Sequence, residues 1–498
     1  MVLRRKFLIN LVLILCFTVL GFAVMGYHPG IEDDGVYLSA VKSDLNPALF
    51  PHDAEFFRLQ LQATVFDRWI AGFIRLTHIP VAAAELLLQL GTIALTLLAC
   101  WSIARRLFPE LRAHWAGVTL VASMFTLPVA GTALFLVDPH LHPRSLATAI
   151  VLLAVSWIIA GKRWQAMPLL LLAFVIHPIM AAMGISFCFF LTMAMSEPVH
   201  SWIDSWSAER AGSVAAAFTP LAWIFEPQSP VWKKALDTRT YCYLYKWQWY
   251  EWLGALAPLF LFWLLWRLAQ KRGETLLARF ALAVFAYGVF QQVVAMTMLG
   301  FPSLVRLTPL QPMRYLHLVY FFLALVAGSL IGKYLLKAAV WRWALFLIVC
   351  NGSMFAAQRA EFGSSDQIEW PGQPQSNPWL QAFAWIRVNT PTGAYFALDP
   401  RYLEAPGEDY HSFRALAERS QLADAVKDTA VVTQVPELGP EWDRQVEAQK
   451  GWKNFQLEDF VRLKAEFGVD WVLVSYPAPA GLPCRWHNGS LAVCQIPR

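Results

Sequence analysis

Three consecutive carboxylates, Glu32, Asp33 and Asp34, follow the first apolar run of the chain. Adjacent acids repel one another, so an ordinary loop gains nothing from them. At a membrane interface partial desolvation raises a carboxyl pKa, which suits a general base or a divalent-metal ligand. The bland alternative is a capping or solubilising acidic loop. A second cluster, Asp138, His140, His142 and Arg144, is compressed into DPHLHPRS ahead of another apolar run. Two His at i, i+2 could bind a metal, but no spacing here matches a standard zinc motif. Asp138 or Ser145 would equally serve as helix caps. The Arg144 guanidinium is a fork of donors suited to an anion. Lys233, Lys234, Arg239 and Lys246 make a basic, aromatic stretch that would hold a phosphate or lipid headgroup, or simply be solvated. Arg306 and Arg314 precede a late apolar run, where a charge at membrane depth usually has a partner or ligand. His177 stands beside Pro178, where a lone His is more often structural.

The elements that must position these residues are membrane helices. Of 498 residues, 57% are hydrophobic and 15% charged, against about 25% charged in an ordinary soluble protein. Residues 1–357 hold 27 Lys+Arg and 17 Asp+Glu, residues 358–498 hold 13 and 18. The first part reads as membrane with basic loops, the second as an acidic soluble domain. Many of the Trp residues, such as Trp101, Trp115, Trp164, Trp252 and Trp341, close apolar runs, as the indole does at a lipid–water interface. The N-terminus resembles a signal peptide, but its apolar run is long and ends in no small-x-small site, so it reads as an uncleaved first span.

Apolar runs of spanning length lie at about 7–26, 81–104, 115–137, 145–160, 211–226, 252–268, 276–299, 315–332 and 341–357. Arg4, Arg5 and Lys6, then Arg105 and Arg106, Lys162 and Arg163, Arg267, Lys271 and Arg272, and Lys333, Lys337 and Arg342 mark the inner ends, since Lys and Arg stay cytoplasmic. Parity then favours a hairpin at 166–196 with His177-Pro178 at its tip, the rival being one kinked helix that would break the parity, and the total is about eleven spans, N-terminus in and C-terminus out. The first arm of about 12 residues is roughly 18 Å of helix, too short to cross a 30 Å core. The tip must lie in a wet depression or be shielded by protein. The loops 27–80, 138–144 and 227–251 and everything after about 358 share the outer face. In the first of these, Phe57, Leu61, Val65, Trp69 and Phe73 fall at i, i+4 spacing, the pattern of a helix on the membrane surface. After a polar linker at about 362–378, helix and strand signals alternate in a small α/β domain. In its terminal hairpin, a three-residue loop centred on Gly489 would face Cys484 with Cys494, as a disulfide in an oxidising compartment, whereas an Asn-Gly turn would face Cys484 with Val493.

The stretch GYHPGIEDDGVYL after the first span, with paired acids in the first outer loop, resembles the GT-C superfamily of integral membrane glycosyltransferases. NPALFPHDAEFF, the HPRS before span four, the HP of the hairpin, QPMR before span ten and FRALAERSQLADAVKD near the C-terminus are similar to bacterial relatives of that group. The resemblance implies a GT-C-like polytopic α-helical fold and a polyprenyl-phosphate sugar donor. It further implies inversion at the anomeric carbon and a catalytic acid at Asp33 or Asp34, with Glu32 a departure that adds a third candidate. Asp53, His140, His142, Arg144, His177, Arg306 and Arg314 are then expected to line the substrate site. Relatives differ on metal use, so a divalent metal stays open. The C-terminal domain holds no WWD-like motif, which argues against the oligosaccharyltransferase branch. The expected function is sugar transfer to an envelope acceptor at the outer face of a bacterial inner membrane. The expected partners are the bilayer and a lipid-linked sugar, with no nucleic acid. A transporter or flippase, or a non-catalytic partner in envelope polysaccharide assembly, is the alternative.

Overall fold

A computed structural model describes residues 2–196 and 229–497. Among them six helical stretches are long and apolar enough to cross a membrane: Phe7–Met25, Val81–Leu107, Trp249–Lys271, Thr275–Gly300, Ser303–Leu336 and Val340–Glu361. Three shorter apolar helices, Pro143–Ile159, Arg163–Ile176 and Pro178–Ala194, pack among them. Eleven spans are therefore not seen. The expected span at 211–226 lies outside the described residues. The expected span at 115–137 is corrected: helix runs only from Leu111 to Ser123. The chain then turns into two short antiparallel strands, β1 (Pro128–Val129) and β2 (Leu134–Phe135). Pro128 cannot continue a helix. Gly131 turns the ribbon at φ +61°, with the Trp247 ring so close that a Cβ would lie 2.3 Å from it. The shortened helix is almost wholly buried. It approaches Leu316–Ile331 through Gly117 and Gly328, where small residues let membrane helices meet backbone to backbone.

The segment 163–194 is a hairpin. His177, at φ −151° and ψ 93°, ends one arm and caps the next by accepting from Met180 N–H. The tip lies level with His142 at the head of Pro143–Ile159, the two rings 6.4 Å apart. The second arm descends beside that helix, Gly184 abutting Val151. The first arm has 14 residues, about 21 Å at 1.5 Å per residue. The loop ahead of it shields the tip: Thr64 Oγ1 donates to Ile176 O at 2.7 Å and Val65 N–H to Val175 O at 3.4 Å.

The amphipathic stretch of loop 27–80 is broken into Glu55–Arg58, a 3-10 turn at Gln60–Ala63, and a helix at Phe66–Thr77. Phe57 and Leu61 are buried, while Val65 just ahead of the last helix, and Trp69 and Leu76 on it, stay exposed. The expected single stripe thus splits between an inward and an outward face.

Near the C-terminus a five-stranded sheet has the order β4 (Ser420–Gln421), β3 (Tyr395–Ala397), β5 (Trp471–Ser475), β7 (Leu491–Gln495), β6 (Cys484–His487). β3 runs parallel to β4 and β5, and β7 antiparallel to β5 and β6. Alternation decides its faces. Trp471 and Leu473 pack with helices Pro378–Asn389 and Phe413–Ala417, Val472 and Val474 with Leu457–Phe467. Cys484 and Cys494 are bonded. A bulge between Cys484 and Trp486 brings them into register, with His487 opposite Ala492. Residues 423–446 belong instead to the main core: Ala423, Val431, Val432 and Trp442 are continuous with it.

Candidate active site

The chain leaves its first helix at Gly26 (φ +79°) and passes through Gly30 (φ +83°) before the acid triplet. The Gly30 turn folds back so that its N–H donates to Asp34 Oδ2 at 2.7 Å. Asp34 is 2% exposed, and burial pushes its carboxyl up to about 7 against that one hydrogen bond. Asp33 occupies the N-cap of helix Asp34–Leu45, yet its side chain makes no capping bond. The carboxylate that a bland loop would spend on a helix end is left for something else. Its side chain is 37% exposed. Glu32, at φ 54°, is 41% exposed and pairs with Lys427.

Residues from two distant elements close on Asp33. His142 is the N-cap of Pro143–Ile159, and its Nδ1 accepts from Arg144 N–H at 2.9 Å. The ring proton therefore sits on Nε2, which stands 3.5 Å from Asp33 Oδ2. Arg144 Nη1 is 3.7 Å from the same oxygen. The rest of its guanidinium is clamped by Asp138, which also accepts from Ser145 Oγ at 2.7 Å. Asp138 is thus a buried orienting partner. Lys427, the first residue of helix Lys427–Gln434, brings Nζ to 3.2 Å from Asp33 Oδ1. Burial alone would raise the Asp33 carboxyl. Lys427 first, then His142 and Arg144, outweigh it and hold it well below the usual carboxylate range. Arg314, in the 3-10 turn Pro312–Tyr315, feels the charges of Arg144 and Asp33. The Tyr37 ring meets His142 edge-on at 5.0 Å, setting its plane.

The structure thus brings together Asp33, Glu32, His142, Arg144, Arg314 and, through its ring contact with His142, His177. His140 is buried beneath them with both ring nitrogens unpartnered, its ring 5.6 Å from that of His142. Arg306 lies half-buried in the 3-10 helix Pro302–Leu310, on the segment leading to Arg314. Asp53 is placed elsewhere: it accepts from Arg414 Nε at 2.5 Å and Gln421 N–H at 3.0 Å. The basic loop is engaged in contacts of its own. Lys234 lies 2.6 Å from both Asp443 and Glu447, and Arg239 donates to Val426 O. Among the described residues no group of three or more His, Cys, Asp or Glu is placed to hold a metal.

Lys427 is the residue beside the acids that sequence reasoning did not single out. It lies within FRALAERSQLADAVKD, but 394 positions from Asp33 and between acids of a polar helix, where a Lys reads as ordinary surface charge.

No protein-family profile matches the chain, and no curated protein matches it. Among solved structures it is similar to the oligosaccharyltransferase of Archaeoglobus fulgidus in complex with zinc and sulfate. That likeness covers 93% of this chain and 68% of the other, at 13% identity and a TM-score of 0.41.

Proposed function

We propose that this chain is a membrane glycosyltransferase that moves a sugar from a polyprenyl-phosphate donor to an envelope acceptor at the outer face of a bacterial inner membrane. One observation carries it: Asp33 is a half-open carboxylate, unused as a cap, facing His142, Arg144 and Lys427. An acceptor hydroxyl oxygen attacks the anomeric carbon while the bond from that carbon to the phosphate oxygen breaks. The hydroxyl proton passes to Asp33, the configuration inverts, and the polyprenyl phosphate leaves with the bonding pair. Arg144, Lys427 and Arg314 are arranged to take up the charge that grows on that phosphate. Of the three acids, Asp34 is buried and accepts from Gly30 N–H, and Glu32 is bridged to Lys427, whereas Asp33 is the one that faces Lys427, His142 and Arg144 together, so it is taken as the base.

The low pKa of Asp33 fits this cycle. A carboxylate held by cations is a poor base. A donor phosphate competes for Arg144 and Lys427, and as they turn to it the basicity of Asp33 returns. Asp33→Asn should lower transfer about 10²- to 10⁴-fold in a protein that still folds and inserts. The assay is sugar transfer by purified protein in nanodiscs charged with polyprenyl-phosphate sugars. Full transfer by this variant would overturn the assignment.

A further inference from the structure

Away from Asp33, the C-terminal part holds an open groove of about 1040 Å³. Ligand pockets run to about 300–1,000 Å³, so this open groove has room for a ligand of several linked rings. Two indoles line it, and both are backed by rings. Trp452 packs on Phe455 and Phe460 at 5.3 Å each, Trp379 on Tyr402 at 5.9 Å and Phe383 at 6.2 Å. These tilted and edge-on contacts hold both indoles in place at the groove wall. The charges in the groove are largely matched: Arg401 binds Glu404 at 2.6 Å, and Lys450 approaches Glu447 at 3.4 Å. An anionic ligand would meet as many carboxylates as cations. Aromatic rings beside matched charges and the exposed amide of Asn454 suit an uncharged ligand with apolar faces and many hydroxyls.

We propose that this groove binds a neutral oligosaccharide, as the acceptor chain of the transfer described above. Its identity as acceptor rests on that reading. The binding itself does not.

The groove is joined to the acid site by a short piece of chain. Ala425 lines the groove and its N–H donates to Pro400 O, also in the wall, at 2.7 Å. Lys427, two residues on, touches Asp33. Two residues span at most about 7 Å, so the Ala425 edge of the groove lies close to the backbone of Lys427.

The test is direct binding of full-length protein in nanodiscs to neutral gluco-, manno- and galacto-oligosaccharides, with acidic oligosaccharides and an unstructured peptide as comparison probes. Saturable binding of a neutral series is expected. It should weaken about tenfold or more in Trp452→Ala and clearly in Asn454→Ala, whose exposed side chain leaves the core intact. Asp33→Asn should bind as wild type does, so loss of transfer and loss of binding are separable. Binding of only the acidic sugars or the peptide, no neutral binding, or neutral binding unchanged in both groove variants would overturn the proposal.

Discussion

At the scale of the residue, the site turns on which of three neighbouring acids is free. Glu32, Asp33 and Asp34 are indistinguishable by composition, and periodicity places no pair of them on a known face. The choice is made by a backbone detail, the positive-φ turn at Gly30 that hands its N–H to Asp34. Lys427 then sets the chemistry of Asp33. Burial would lower the Lys427 ammonium, but Asp33 and Glu32 raise it further, so it stays charged. Since Lys427 is the foremost of the groups lowering Asp33, removing it raises that carboxyl. The acid limb of kcat/KM reports the free enzyme, so in Lys427→Ala it should move to higher pH. Lys427→Arg, which keeps the charge, should leave it in place. A pH–rate series on the three proteins checks this, and an unmoved limb in Lys427→Ala would show that Lys427 acts only through packing. The pairing was invisible in the sequence because nothing local in a soluble helix marks a Lys that reaches a loop at the other end of the chain.

At the scale of the element, hydropathy located most helices but misjudged one. The run 115–137 is apolar throughout, and hydropathy does not register that Pro128 and Gly131 turn it into a ribbon. The hairpin was legible because His177-Pro178 marks the break between its arms. What shields its tip was not legible, since Thr64 is an unremarkable polar residue in a loop. Its hydroxyl is the side-chain donor to Ile176 O, at the end of a helix whose last carbonyls have no intrahelical partner. Thr64→Val keeps the shape and removes the donor. It should destabilise the protein by about 1–3 kcal/mol, read as a lower melting temperature in detergent. Faster amide exchange should appear at the tip around His177 and at Phe66, whose N–H donates to the same hydroxyl at 3.2 Å. A melting temperature equal to wild type would mean that other groups satisfy that carbonyl.

At the scale of the whole molecule, the C-terminal part reaches the acid triplet through Lys427. Composition separates it at about residue 358, and its acidic charge and strand patterns were legible on those grounds. The division of labour within it was not. Its sheet has cores of its own, while residues 423–446 pack into the main core, on the loops around the acids. The joint between them is ionic and buried. Arg414 holds Asp53 of the first loop with Nε, and Asp428 with both terminal nitrogens at 2.7 and 2.9 Å. Asp428 adjoins Lys427, so this joint fixes where Lys427 stands. A buried ion network adds little net stability over an apolar one, but removing one partner strands the others. Arg414→Met fills similar space and leaves Asp53 and Asp428 facing each other without a cation. It should cost about 3–5 kcal/mol and lower transfer as well, because Lys427 loses its seat beside Asp33. Adding Asp53→Asn and Asp428→Asn removes the stranded charges and should recover much of the melting temperature. Transfer should not recover with it, since the strut that aligns Lys427 is still gone. If transfer returned in step with stability, the network would be serving the fold alone.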